Sequence, residues 1–148
     1  MTAAGLTIRR CRPDECGAVL ALWTRAGAIP SPTDTPEALA RLVRSEHGDG
    51  FLVALRDGSV VGTVIGGFDG WRGNIYRLAV APEVRRQGIA RALVREAEGL
   101  LWAKGARRMS ALVERGEAHA VAFWDGAPGY RRDERMVRYV KALGPETA

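Results

Sequence analysis

The chain has 148 residues, 47% of them hydrophobic and 26% charged. That length suits one domain with a real core, and the composition is globular, which excludes disorder as the main state. The net charge of +5 favours an anionic ligand or surface. Of the 22 basic residues only Lys104 and Lys141 are lysines. The arginines are scattered, with no basic stripe interleaved with aromatics, which argues against a nucleic-acid partner.

No apolar run reaches the roughly 18 residues of a membrane span, so no membrane partner is expected. Met1-Thr2-Ala3-Ala4-Gly5 lacks the charged and apolar stretches of a signal peptide, and cytoplasm is the expected location. Cys11 and Cys16, taken with His47 and His119, fit no common zinc spacing. They read as two half-buried thiols, and no metal is expected.

Residues 6–10 alternate apolar and polar, as a half-buried strand does. Pro13-Asp14-Glu15 starts a helix, with Pro in the first turn and acids near the positive end of the dipole. Cys16, Val19, Leu20 and Trp23 line one face of it, and Gly27 stops it. Residues 28–35 are loop, broken by Pro30 and Pro32. Thr35-Pro36-Glu37 opens a second helix through about Ser45, with Leu39, Leu42 and Val43 as its apolar side.

Residues 51–55 and 60–68 read as two strands of a hairpin joined at Asp57-Gly58. The second carries Gly62, Gly66 and Gly67, which weaken a strand unless a backbone or ligand comes close. Residues 74–80 form a strand with few charges, hence a central one. A basic loop over 82–88 leads into the longest helix, 89–104, which Gly105 caps. Residues 109–113 are a buried strand, 117 to about 125 a short helix, and 135–143 a last, weakly alternating strand. The order is β-α-α-β-β-β-α-β-α-β. This is an α/β (α+β) fold with a mixed sheet and helices on both faces. A single domain is expected over 1–148, with its core at about 6–143.

The loop between the central strand and the long helix carries the chemistry. Arg85, Arg86 and Gln87 precede Gly88 at the helix start. The first amides of a helix have no internal partner, and with the dipole they make an anion site. Gly88 lets backbone approach an oxyanion, Ala90 keeps the first turn open, and Arg85, Arg86 and Arg91 can add charge-assisted bonds. This is a pyrophosphate cradle, with an ordinary βα loop on a basic surface as the alternative. It is neither a Walker loop nor a dinucleotide fingerprint.

Arg85-Arg86-Gln87-Gly88-Ile89-Ala90, after Leu78-Ala79-Val80-Ala81-Pro82, resembles motif A of the GNAT acetyltransferase superfamily, Arg/Gln-x-x-Gly-x-Gly/Ala. The stretch from Val60 to Gly70 and the Phe123-Trp124 and Gly129-Tyr130 pairs are similar to the YpeA-like bacterial members. The resemblance implies a GNAT fold in which strands four and five splay apart around acetyl-CoA. Leu78, Ala79 and Val80 would line the pantetheine arm, with the Val80 amide as oxyanion donor. Amides of Arg86, Gln87, Gly88, Ile89 and Ala90 would hold the pyrophosphate, helped by the Arg85 and Arg91 side chains. The implied activity is N-acetyl transfer to a primary amine on a small molecule, a peptide N-terminus or a lysine, directly through a ternary complex. The implied partners are acetyl-CoA and the amine acceptor, with a homodimer left open.

Three positions depart from the family pattern. Asn74 stands where many members carry a glutamate base, Trp124 where many carry a tyrosine acid, and Glu117 where a CoA-contacting asparagine often sits. No side chain is therefore assigned as general acid or base. Asp69, Tyr76, Glu114 and Glu117 are candidates, each with a plain surface or packing role as the alternative. Trp23, Ile29 and Trp71 are candidates for the acceptor wall. The missing acid and base also raise a non-catalytic acyl-CoA-binding sensor or regulatory module as the alternative function.

Overall fold

The computed structural model describes residues 5–145, which fall into two compact units divided between Leu112 and Val113. The first unit holds β1 (Leu6–Arg10), α1 (Cys16–Ala26), α2 (Pro36–Arg44), β2 (Phe51–Arg56), β3 (Ser59–Phe68), β4 (Gly73–Val80), α3 (Ile89–Lys104) and β5 (Met109–Ala111). The second holds α4 (Ala118–Gly126). The strands form one sheet in the order β1-β2-β3-β4-β5, antiparallel up to β4 and parallel between β4 and β5. This is the mixed sheet that the alternation of hairpins and a crossover helix predicts.

Local chemistry sets the element ends. Asp57 and Gly58 both adopt positive φ, +51° and +80°, as the Asp-Gly hairpin requires. The Thr35 hydroxyl accepts from the Ala38 amide at 3.1 Å, and Pro36 takes the first helical position of α2. Gly27 and Gly105 end α1 and α3 in the left-handed conformation. Near the C-terminus of α3, Lys104 meets the Asp49 carboxylate at 2.8 Å.

Helices cover both faces of the sheet. Val19, Trp23, Leu39 and Val43 from α1 and α2 pack with Phe51 and Val53 of β2. On the opposite face, a Cβ at Gly62 would meet Leu93 at 3.0 Å and Ile89 at 3.1 Å, and one at Gly66 would meet Leu101 at 3.2 Å. The close approach that these strand glycines anticipated is thus the apolar face of α3 seated on β3. Both cysteines lie in the first cluster, more deeply buried than their sequence suggests. Burial pushes the Cys11 thiol up to about 12, so it stays protonated and packs as an apolar group.

The expected last strand is not formed. Residues 135–143 make no ladder among the described residues. The segment is basic at Arg135, Arg138 and Lys141, and Met136, Val137, Tyr139, Val140 and Leu143 are exposed. Alternation alone does not hold a strand without an edge to take its backbone hydrogen bonds. β5 is also shorter than expected, ending at Ala111 rather than Val113.

Candidate active site

The site begins with a fault in the β3–β4 ladder. Thr63 lies opposite Ala79, but Ile65 lies opposite Tyr76, so Arg77 and Leu78 share the space facing Val64. The extra residue is accommodated by Arg77 at φ +50°, a bulge that bends the strand. The Arg77 carbonyl, displaced from the ladder, accepts from the Thr63 hydroxyl at 3.0 Å. That hydroxyl accepts in turn from the Trp23 indole N–H at 2.8 Å. The Arg77 side chain turns the other way, donating to the Ile29 carbonyl at 3.0 Å and pairing closely with Asp34. Its guanidinium carbon stands 5.1 Å from the centre of the Trp23 ring.

Beyond the bulge, β4 has an open edge. β5 pairs with it only at Gly73, Asn74 and Ile75. The Ala81 amide donates to the Val61 carbonyl at 2.8 Å, and Ala79 lies opposite Thr63. Successive residues of an antiparallel strand turn their polar groups to opposite sides. Val80, between the two alanines, therefore turns its N–H and C=O away from β3, onto the edge that β5 leaves uncovered.

The strand then runs through a short turn at Pro82–Val84 into α3. Arg86 (φ +63°) and Gly88 (φ +82°) both adopt the left-handed conformation, with Gln87 between them. Such reversals fold successive amides into a concave nest. The amides of Arg86, Gln87 and Gly88 donate to no backbone acceptor among the described residues. Those of Ile89, Ala90 and Arg91 precede the first intrahelical bond, which Ala92 makes to Gly88 at 3.0 Å. Ile89 buries its side chain completely, so only its amide faces the loop. A Cβ on Gly88 would meet nothing within 4 Å, so open space lies above the nest.

The loop side chains are less free than the sequence suggests. Arg85 donates to the Ala26 carbonyl at the end of α1, at 3.1 Å. The Gln87 side chain is held closely by Arg56 from the end of β2. Arg86 and Arg91 are exposed. Sequence reasoning missed Arg56, Thr63, Arg77 and Asp34. Thr63 is the core's buried polar residue, and an isolated threonine in an apolar strand is the one signal that could have flagged it.

The remaining candidates are dispersed. Trp23 is buried at 3% exposure, whereas Ile29 and Trp71 are open at 51% and 70%. Tyr76 lies over Gly67, where a Cβ would touch its ring at 3.3 Å. Asn74 sits in the closed part of β4, paired with Gly67 and Ser110. Asp69 accepts from the Arg72 and Trp71 amides, which hold its carboxyl below the usual range and make it a poor base. In the second unit Glu117 precedes α4, and its amide donates to the Glu114 carbonyl. There the Trp124 ring meets Phe123 edge-on at 5.2 Å and Tyr130 at 4.8 Å. Among the described residues no three His, Cys, Asp or Glu side chains converge as metal ligands, and no helix is long and apolar enough to cross a membrane.

A bulged strand with a free edge, leading into a nest of unpartnered amides at a helix start, is the arrangement that the resemblance to the GNAT acetyltransferases implies. Residues 16–126 match the acetyltransferase (GNAT) family. An acetyltransferase of Pectobacterium atrosepticum is 39% identical over 73% of this chain and 76% of its own length. A GNAT-family acetyltransferase of Brucella melitensis, solved with acetyl-CoA, superposes with a TM-score of 0.59 at 25% identity, over 75% of this chain and 77% of that one. Ard1 from Thermoplasma volcanium shares the fold with a TM-score of 0.73 at 24% identity, over 82% and 80% of the two chains. The chain belongs to the acetyltransferase (GNAT) family, and it is an enzyme of acetyl transfer.

Proposed function

We propose that the protein transfers an acetyl group from acetyl-CoA directly to a primary amine in a ternary complex. The observation that carries this reading is a pair of unpartnered donor sets, the Val80 N–H on the β4 edge and the Arg86–Arg91 amides at the start of α3, joined by a turn whose Ala81, Val84 and Arg85 amides are bonded within the protein. Those donors suit a long ligand with a carbonyl at one end and a pyrophosphate at the other. The nest between Arg86 and Gly88 offers convergent amides and positive charge to a pyrophosphate, and the open β4 edge suits an amide-bearing arm that pairs like an added strand. When bound, acetyl-CoA supplies an activated acyl group with a thiolate leaving group.

The chain's own residues then bind, orient and stabilise charge. The Val80 N–H stands ready for the oxygen on which negative charge develops. The 28–35 loop, with exposed Ile29 and with Asp34 locked to Arg77, forms a wall for the acceptor. Asn74 cannot ionise, and the Trp124 indole donates a hydrogen bond without acting as an acid. The acceptor amine therefore attacks in its neutral form, and proximity supplies much of the rate. The acceptor is a small amine, a peptide N-terminus or a lysine. The family match covers residues 16–126 and so crosses from the first unit into the start of the second, which supports reading the chain as one functional domain. A cytoplasmic location belongs to this reading, in keeping with two free thiols and an acetyl-CoA supply.

Thiol release from acetyl-CoA across a panel of amines and peptides tests the proposal, with calorimetric acetyl-CoA binding measured alongside. Release that depends on an added amine is the expected result. Binding without any amine-dependent release would overturn the transfer.

A further inference from the structure

The bulge that opens β4 is held by side chains from the neighbouring elements β3 and α1. The Arg77 carbonyl has lost its ladder partner, and a buried carbonyl without a donor is costly. The Thr63 hydroxyl supplies that donor at 3.0 Å while accepting from Trp23 at 2.8 Å. Thr63 is fully buried and Trp23 nearly so, so water cannot replace either bond. The guanidinium of the same Arg77 reaches back to Ile29 and Asp34 in the 28–35 loop. One residue therefore shares its carbonyl with the sheet and its side chain with the loop.

We infer that Thr63, Trp23 and Arg77 act as a positioning relay, which fixes the β4 bulge that presents the Val80 N–H and ties that bulge to the acceptor-side loop through Asp34. The inference rests on the acetyl-transfer reading for its kinetic consequence, while its structural consequence stands apart from it. Thr63→Val keeps the shape of the side chain and strands both the Trp23 N–H and the Arg77 carbonyl. Thr63→Ser keeps both bonds. Arg77→Met keeps the carbonyl and releases the loop.

Amide hydrogen exchange on the ligand-free protein is the first measurement. Thr63→Val speeds exchange at Ala79 and Ala81 by about tenfold or more relative to α3 amides, and Thr63→Ser stays within about threefold of the parent. Should Thr63→Val not fold, Trp23→Phe, which removes the bond that orients the Thr63 hydroxyl but leaves the hydroxyl itself, carries the test with a smaller acceleration at Ala79 and Ala81. Kinetics are the second measurement. Thr63→Val lowers kcat by about 30-fold while the acetyl-CoA Kd stays within about threefold, and Thr63→Ser restores kcat. Arg77→Met raises the acceptor KM by about tenfold and leaves the KM for acetyl-CoA in place. Unchanged exchange at Ala79 and Ala81, a serine variant that fails to rescue, or a parallel loss of kcat and acetyl-CoA affinity would each overturn the relay. A parent protein that does not bind acetyl-CoA would sink the functional reading instead, and the exchange data would still decide the relay.

Discussion

The two halves of β4 share β3 as a neighbour and differ in what lies on the other side. Gly73, Asn74 and Ile75 have ladder partners on both sides, in β3 and β5. Tyr76 to Val80 have β3 alone, and they have it through a bulge. The first half behaves as scaffold and the second as a presenting edge. A strand becomes a binding surface by losing a neighbour, without any special side chain on the strand itself. Asn74, where the family pattern carries a carboxylate, lies in the closed half, apart from those backbone donors. The acid or base is separable from the backbone donors.

Changes at the open end and its loop should strike binding, and changes at the closed end should strike folding. The largest effect is expected from Gly88→Glu. It places a carboxylate over the nest at φ +82°, where a side chain is strained by about 1–2 kcal/mol. Acetyl-CoA binding should fall below calorimetric detection while the far-ultraviolet spectrum stays native. Normal binding by this variant would dismiss the cradle. Gly73→Val should do the reverse. Its Cβ would overlap the Met109 sulfur and press on Leu101 at 3.3 Å, so Met109 must move, costing about 1–3 kcal/mol of stability. The melting temperature should drop, and the folded fraction should bind acetyl-CoA as the parent does.

Arg91→Ala should weaken acetyl-CoA by about 1 kcal/mol, with a shallower salt dependence, because one exposed guanidinium adds charge to donors that are mainly backbone. Arg85→Ala should show less of this and more loss of stability, since its side chain is committed to the Ala26 carbonyl. Equal effects of the two on binding would contradict that division. The pH–rate profile sharpens the contrast between backbone donors and absent acids. Its rising limb should follow the ionisation of whichever acceptor amine is used, and a bell independent of the acceptor would reveal a dedicated acid–base pair.

The smallest effect lies outside the site. Arg9 donates twice to Glu15, at 2.9 and 2.6 Å, and holds that carboxyl below its ordinary 4.5. A depressed carboxyl contributes stability above its unfolded value and loses it as pH falls toward the folded one. Thermal melts should therefore fall more steeply below about pH 4.5 in the parent than in Glu15→Gln, by no more than about 1 kcal/mol. Parallel acid limbs would remove the pair from the acid response.

The sequence made legible whatever depends on a few adjacent residues. The Asp57-Gly58 turn, the Thr35 cap, the Gly105 stop and the glycine at the α3 start all carry their signal within one turn of chain. The bulge did not show, because Arg77 takes positive φ without being glycine or asparagine, and its cause lies across the sheet at Thr63. The relay joins residues 40 and 14 positions apart, which no local pattern encodes. The expected strand over 135–143 shows the opposite failure, since its alternation is present but a strand also needs a partner edge. Gly62 and Gly66 were visible as an anomaly, and only the packing of α3 gave them a reason.

The Lys104–Asp49 pair has a consequence for the enzyme's own durability. Protein amines are slowly acylated by the thioesters around them, whereas a guanidinium stays charged and does not act as a nucleophile. With 22 basic residues, this chain offers only two side-chain amines, Lys104 and Lys141. One of them is occupied by a carboxylate at 2.8 Å. An enzyme that handles activated acyl groups at each turnover thus presents a cationic surface with almost nothing on it to self-modify.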